Sequence, residues 1–134
     1  MADSGHQKVE AALIAYALSL PETDLVRGLG VTRYLHVRGK GFAIFGEKNE
    51  PADALTLIVK LPASAPLAAD LPFVREARGW WKQHDWVTAH FGPDDDARAE
   101  IETLRYWIRQ SYAAVAPKRL GRMVEAAAQS DGPF

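Results

Sequence analysis

The side chains that most often perform catalysis or bind metals are sparse in this chain. It has no cysteine, which excludes thiol nucleophiles, thiolate metal sites and disulfides. Its four histidines, His6, His36, His84 and His90, include no i, i+4 pair of the kind that binds a metal ion from one helix face. The acidic run at residues 94–96 attracts cations, but it is also typical of a helix start. The sequence therefore predicts no metal site and no cofactor.

A hydrolytic triad is the enzyme chemistry that the sequence comes closest to offering. His84 and Asp85 are adjacent, and Ser111 lies further along the chain. A nucleophilic serine normally lies on a strained turn, whereas Ser111 falls inside a regular helical pattern. The glycines of residues 27–30 and 39–41 lack the spacing of a phosphate-binding loop and are expected in turns. We therefore predict a non-enzymatic binding protein.

Basic residues are concentrated in one part of the chain. The whole chain has a net charge of -1, whereas residues 26–48 contain five basic residues and one acid, a net charge of +4. A hairpin tip in this window and a second basic loop near residue 83 would form two wings that contact phosphates. We predict weak, non-specific binding of double-stranded DNA, and a solvated charged hairpin stays open as the alternative. The predicted nucleic-acid-binding residues are Arg27, Arg33, Arg38, Lys40, Lys82 and His84.

Three of the four tryptophans fall within residues 79–88. Because tryptophan buries a large area, we expect this cluster to organise the core. A protein partner is an alternative to nucleic acid, since exposed tryptophans often dominate interfaces, and the candidates are Trp80, Trp81 and Trp107. A small-molecule pocket between the sheet and a helix is a third alternative. Its predicted lining is Tyr34, His36, Trp86 and Tyr112.

Hydrophobic periodicity predicts the fold. Alternating or β-rich segments joined by short connections indicate an antiparallel meander, and apolar residues at helical spacing indicate two main helices. We predict an α+β fold in which an antiparallel sheet of about 4–6 strands packs against an N-terminal helix and a long C-terminal helix. The predicted strands are residues 31–38, 42–45, 55–61 and 86–91, and the predicted helices are residues 6–20 and 94–115.

Length and composition indicate one domain. The 134 residues suffice for a single core. We assign residues 1–120 to this domain and expect residues 121–134 to form a partly flexible C-terminal tail, since Pro117 should end the last helix. No stretch approaches the ~20 apolar residues of a membrane span, and the polar N-terminus has no signal-peptide pattern. We expect a cytoplasmic protein without a membrane partner.

Several short segments occur in an order and spacing that are characteristic of one family. They are Ala-Leu-Ser-Leu-Pro at residues 17–21, Val-Arg-Gly-Lys-Gly-Phe-Ala at 37–43, Trp-Val-Thr at 86–88 and Ile-Arg-Gln-Ser-Tyr-Ala-Ala-Val at 108–115. Together they span about residues 7–120 and resemble the MmcQ/YjbR family of small bacterial proteins. The resemblance implies an α+β, double-winged fold related in shape to frataxin-like proteins, and it implies DNA binding. Residues 26–32 and the paired tryptophans after Gly79 depart from the family pattern.

Overall fold

The computed structural model describes residues 5–28, 30–46, 51, 53–75 and 79–130, the last three without their side chains. Within these residues, one helix comes first, six strands follow with two short helices among them, and a 3-10 turn and two longer helices come last. The elements are α1 (Gly5–Leu18), β1 (Thr23–Arg27), β2 (Arg33–Val37), β3 (Lys40–Phe45), β4 (Leu55–Lys60), α2 (Ala65–Ala68), β5 (Val74–Arg75), α3 (Gly79–Gln83), β6 (Trp86–Phe91), the 3-10 turn (Arg98–Glu100), α4 (Ile101–Val115) and α5 (Lys118–Ser130).

The strands form one six-stranded sheet in the order β1-β2-β3-β4-β6-β5, and every neighbouring pair is antiparallel. The predicted α+β fold is therefore confirmed, and so is the meander of β2, β3 and β4. Strand β1, which the sequence analysis did not predict, lies at one edge of the sheet. The two-residue strand β5 lies at the other.

The core lies between one face of this sheet and the helices α1 and α4. Its largest fully buried side chains include Tyr112 on α4 and Phe42 and Phe45 on β3, and the rings of Phe42 and Tyr112 meet edge-on at 5.4 Å. The prediction that the tryptophan cluster organises the core is wrong. Of the four tryptophans, only Trp107 on α4 is buried, where it contacts Phe73 at a ring distance of 5.7 Å.

The helix predicted from residue 94 begins later, at Ile101. Residues 94–96 precede the 3-10 turn and lie in a loop. Asp95 and Asp96 each accept a hydrogen bond from a backbone N–H three residues away, at 2.7 and 3.3 Å. These acids therefore fix a loop and a 3-10 turn, because a short aspartate side chain competes for nearby backbone donors outside a helix.

Helix α5 follows Pro117 directly and crosses the predicted domain boundary at residue 120. Leu120 and Val124, one helical turn apart, are both buried in the core cluster. The backbone of α5 also lies close to α4, since a Cβ at Gly121 would fall 3.3 Å from the Cα of Ala113. Pro117 thus separates two packed helices, and the domain extends at least to Val124.

Candidate functional site

The sheet has a second face, opposite α1 and α4, which we call the outer face. Strand register places Tyr34, Ile44, Ile58 and Thr88 in one row across β2, β3, β4 and β6. All four side chains are half-buried, whereas the residues on either side of Ile44, Ile58 and Thr88 along the strands are buried in the core. The outer face thus presents an apolar centre that remains partly accessible.

Aromatic rings lie on both sides of this apolar centre. On β2, the rings of Tyr34 and His36 are 6.3 Å apart. On β6, Trp86 faces outward, and its ring meets that of Trp81 edge-on at 5.7 Å. Three strand spacings of about 4.8 Å separate β2 from β6, so the two aromatic groups stand roughly 14 Å apart.

The short helix α3 extends the aromatic surface at the β6 side. Trp80 contacts Trp81 at a ring distance of 5.2 Å and His84 at 4.5 Å. Trp80 is 56% exposed and Trp81 is 43% exposed. The two exposed rings thus form a continuous aromatic surface at this side of the sheet.

Three lysines lie at one end of the sheet, beside the aromatic rings. Lys40 begins β3, Lys60 ends β4 opposite Trp86, and Lys82 lies in α3 just before β6. Within the described part of the chain, none of the three side chains forms an ion pair. These three charges therefore lie together at one end of the sheet.

The predicted nucleic-acid-binding residues do not form one patch. Arg38 pairs with Glu22 at 2.8 Å, and Arg33 pairs with Glu10. Arg27 and Arg33 also lie opposite each other at the far end of β1 and β2, about 17 Å along the strands from the hairpin at Arg38. Of the predicted set, the structure places Arg38, Lys40, Lys82 and His84 at one end of the sheet, and it adds Lys60, which the sequence analysis missed.

The hairpin between β2 and β3 turns at Arg38 and Gly39, one residue before the predicted turn. Both have positive φ angles, 50° and 79°, which matches the tight turn that suits the twist of antiparallel strands. Glycine adopts this conformation freely, but arginine does so only at a cost. Besides its side-chain ion pair, Arg38 donates a backbone hydrogen bond to the carbonyl oxygen of Glu22 at 3.4 Å. Arg38 thus has a structural role at this corner.

Two alternative sites from the sequence analysis are corrected by the structure. Trp107 is 5% exposed and buried against Phe73. The prediction that it contacts a protein partner is therefore wrong. Tyr112 is fully buried in the core, whereas Tyr34, His36 and Trp86 lie on the outer face. These four residues therefore do not line one pocket between the sheet and a helix.

Ser111 has a structural role in the core. It is fully buried on α4, accepts a hydrogen bond from the backbone N–H of Lys60 at 2.8 Å and donates one to the carbonyl oxygen of Phe42. The pairing of β3 with β4 covers residues 43–45 and 57–59, so these two backbone groups lie just beyond the ladder. Ser111 closes that gap, which explains its position inside a regular helix.

The described residues contain no group of three or more histidine and acidic side chains arranged to hold a metal ion. None of the helices in the described ranges is long and apolar enough to cross a membrane. In comparisons with known proteins, no family model and no curated protein sequence matches this chain. The resemblance to the MmcQ/YjbR family stays a prediction.

Proposed function

We propose that the protein is a non-enzymatic nucleic-acid-binding module, and that its outer face binds a single strand weakly and with little sequence preference. The observation that carries this proposal is the joint presence of partly accessible aromatic rings on the outer face and, at one end of the same sheet, of lysines that form no ion pair among the described residues. Base stacking on rings and phosphate contacts along a basic border are the two components of single-strand recognition. Open sheets with exposed aromatic side chains are one established scaffold for it.

The charges favour a single strand over the duplex predicted from the sequence. At the hairpin tip, Arg38 already pairs with Glu22, so among the described residues Lys40 is the cation there that forms no ion pair, and Arg33, at the other end of β2, pairs with Glu10. Duplex binding depends mainly on phosphate contacts, and its bases are stacked inside the helix. The rings of Tyr34, Trp81 and Trp86 would then have no base to stack on. The unstacked bases of a single strand can stack on these rings.

The test is a fluorescence-anisotropy titration of a labelled oligothymidylate and a matched duplex at several salt concentrations. Three lysine contacts to a single strand predict that log K falls with log salt with a slope of about -2, at ~0.7 per contact. The variant Lys40→Gln, Lys60→Gln, Lys82→Gln should bring this slope near zero. Lys8→Gln, an exposed lysine on α1 in the helix layer, is the matched control and should leave it unchanged.

The aromatic contribution is tested separately from the charges. Trp81→Ala should weaken binding of the single strand by about 1–3 kcal/mol while leaving the salt slope unchanged, because stacking releases no counterions. A duplex that binds more tightly than the single strand would contradict the proposal. So would a salt slope that does not respond to the lysine substitutions.

A protein partner is the second candidate for the same surface. The exposure of Trp80 and Trp81 favours it, because tryptophans are enriched among residues that dominate binding energy. The two candidates differ in salt dependence, since an interface centred on apolar rings weakens little between low and high salt. Absence of oligonucleotide binding at ~50 mM salt would favour the protein partner.

A further inference from the structure

The edge strand β1 presents a set of backbone groups that no described strand pairs with. In the β1–β2 ladder, the N–H of Gly28 donates to Thr32 and the N–H of Arg38 donates to Glu22. Hydrogen-bonded pairs alternate along an antiparallel ladder, so residues 24 and 26 also bond to β2. Thr23, Leu25 and Arg27 therefore direct their N–H and C=O groups away from the sheet.

An apolar groove runs beside this edge, between β1 and α1. It has a volume of about 620 Å³, and its apolar side chains include Ile14, Leu18, Leu25 and Val31. Leu18 is 41% exposed, Leu25 is 37% exposed and Val31 is 47% exposed. Leu25 pairs with the buried Leu35, so it faces the helix side of the sheet and borders the groove. An unpaired strand edge and an apolar groove therefore adjoin each other.

The charges at one end of the groove are unbalanced. Arg27 and Arg33 are cross-strand neighbours and lie on the same face of the sheet. Glu10 on α1 pairs with Arg33, whereas Arg27 is exposed and forms no ion pair within the described ranges. One positive charge at the end of β1 is thus left for an acidic side chain of a ligand.

We propose that β1 binds an extended peptide, which adds to the sheet as an antiparallel seventh strand. The peptide backbone would form hydrogen bonds with Thr23, Leu25 and Arg27. An apolar side chain of the peptide opposite Leu25 would enter the groove, and an acidic side chain would lie opposite Arg27. Strand addition of this kind takes affinity from main-chain hydrogen bonds and specificity from the pockets that receive alternate side chains. This site is separate from the outer face and does not depend on nucleic-acid binding.

A second copy of the chain fits this edge less well than a peptide does. When β1 pairs antiparallel with itself and the faces of the two sheets match, Leu25 can meet Leu25 and Thr23 meets Arg27. The acid of β1, Asp24, pairs with His36 on the outer face and so lies on the wrong side to meet Arg27. A separate peptide can place an acid where the charge requires one.

The probe is a labelled peptide with the central sequence Asp-Thr-Ile-Thr-Val, which puts aspartate opposite Arg27 and isoleucine opposite Leu25. Two versions carry a single backbone N-methyl group, one on the isoleucine and one on the threonine before it. The isoleucine N–H would bond to Leu25, whereas the threonine N–H would face solvent. Methylation of the isoleucine should weaken binding by tenfold or more, and methylation of the threonine should change it less than threefold.

A charge exchange tests the other half of the proposal. Arg27→Glu should weaken binding of the aspartate peptide severalfold, and a peptide with lysine in place of aspartate should regain affinity for that variant. Lys8→Gln on α1 is the control and should leave both affinities unchanged. Equal binding of the two methylated peptides, or no binding at millimolar concentration, would overturn the proposal. A dimer in sedimentation that Arg27→Glu leaves intact and that excludes the peptide would also overturn it.

Discussion

Single residues tie the helices of this protein to the sheet and to each other. Tyr112 is an example, since its buried hydroxyl donates a hydrogen bond of 2.7 Å to the carbonyl oxygen of Pro21, just after α1. Burial raises the pKa of Tyr112, and the nearby carboxylate of Glu22 raises it further, against smaller opposing effects of Arg119 and Arg38. The folded protein therefore favours the protonated phenol.

This direction predicts how stability changes in alkali. Because the folded-state pKa is above the unfolded value, the contribution of Tyr112 is complete below about pH 10 and is lost as pH rises through the folded-state pKa. Urea unfolding at a series of pH values should show that the wild type loses stability more steeply above about pH 10 than Tyr112→Phe. Parallel pH profiles for the two proteins would contradict this assignment.

The tryptophans should differ sharply in their effect on stability. Trp107 packs in the core against Phe73, so Trp107→Ala should lower the free energy of unfolding by about 3–5 kcal/mol. Trp80 is exposed, so Trp80→Ala should change it by less than about 0.5 kcal/mol. Chemical denaturation followed by circular dichroism measures both. A similar loss for the two variants would mean that the aromatic surface is part of the core.

At the scale of elements, Ser111 bridges β3 and β4 just beyond the end of their backbone hydrogen-bond ladder. Ser111→Ala leaves the N–H of Lys60 and the carbonyl oxygen of Phe42 buried without their partner. We expect a loss of about 1–3 kcal/mol in the free energy of unfolding, the usual cost of an unsatisfied buried polar group. Ser64→Ala removes a hydrogen bond to Gln110 at a partly exposed site and is the matched control. Equal losses in the two variants would contradict the special role of Ser111.

The elements that the sequence analysis predicted correctly are those with a strong period. The sequences of β2, β3 and β4 alternate between apolar and polar residues or are rich in residues that favour strands. The apolar stripe of α4 includes Leu104, Ile108 and Tyr112, which are all buried. Strand β1 was missed because Asp24 and Arg27 bracket two exposed apolar residues, so no alternation is visible. An edge strand pairs with one neighbour only and is more exposed to solvent than a central strand. Its sequence therefore shows a weaker alternation of apolar and polar residues.

Helix α5 was missed for a different reason. A proline normally ends a helix, and Pro117 does so here, but a new helix begins at the next residue. The signal present in the sequence was Leu120, Met123 and Val124 at i, i+3 and i+4 spacing, followed by small and polar residues. These three residues cover little more than one helical turn, which is too short to define a period, although Leu120 and Val124 suffice to pack the helix into the core.

The outer face was beyond prediction because it depends on strand pairing. Ile44 and Ile58 lie fourteen positions apart in the chain, and only the register of β3 with β4 makes them neighbours. Lys60 and Trp86 likewise become adjacent through the pairing of β4 with β6. The sequence offered the residue types, whereas their assembly into one surface required the order of strands.

At the scale of the whole molecule, the two layers separate the core from the surfaces that we propose for binding. The helix layer covers one face of the sheet and forms the core with it, and the proposed sites lie on the opposite face and at the β1 edge. The net charge of -1 is small, so the proposed binding of nucleic acid relies on the local arrangement of Lys40, Lys60 and Lys82 rather than on a general positive field.

Photo-crosslinking tests the central claim, that the outer face binds a single strand, most directly. An oligothymidylate in which bromouracil replaces one thymine is bound at low salt and irradiated, and the crosslinked peptides are identified by mass spectrometry. The account predicts crosslinks at Tyr34, Trp81 or Trp86, which all face the proposed path of the strand. Crosslinks confined to the helix layer, for example to exposed residues of α5 such as Lys118 or Arg122, would contradict it.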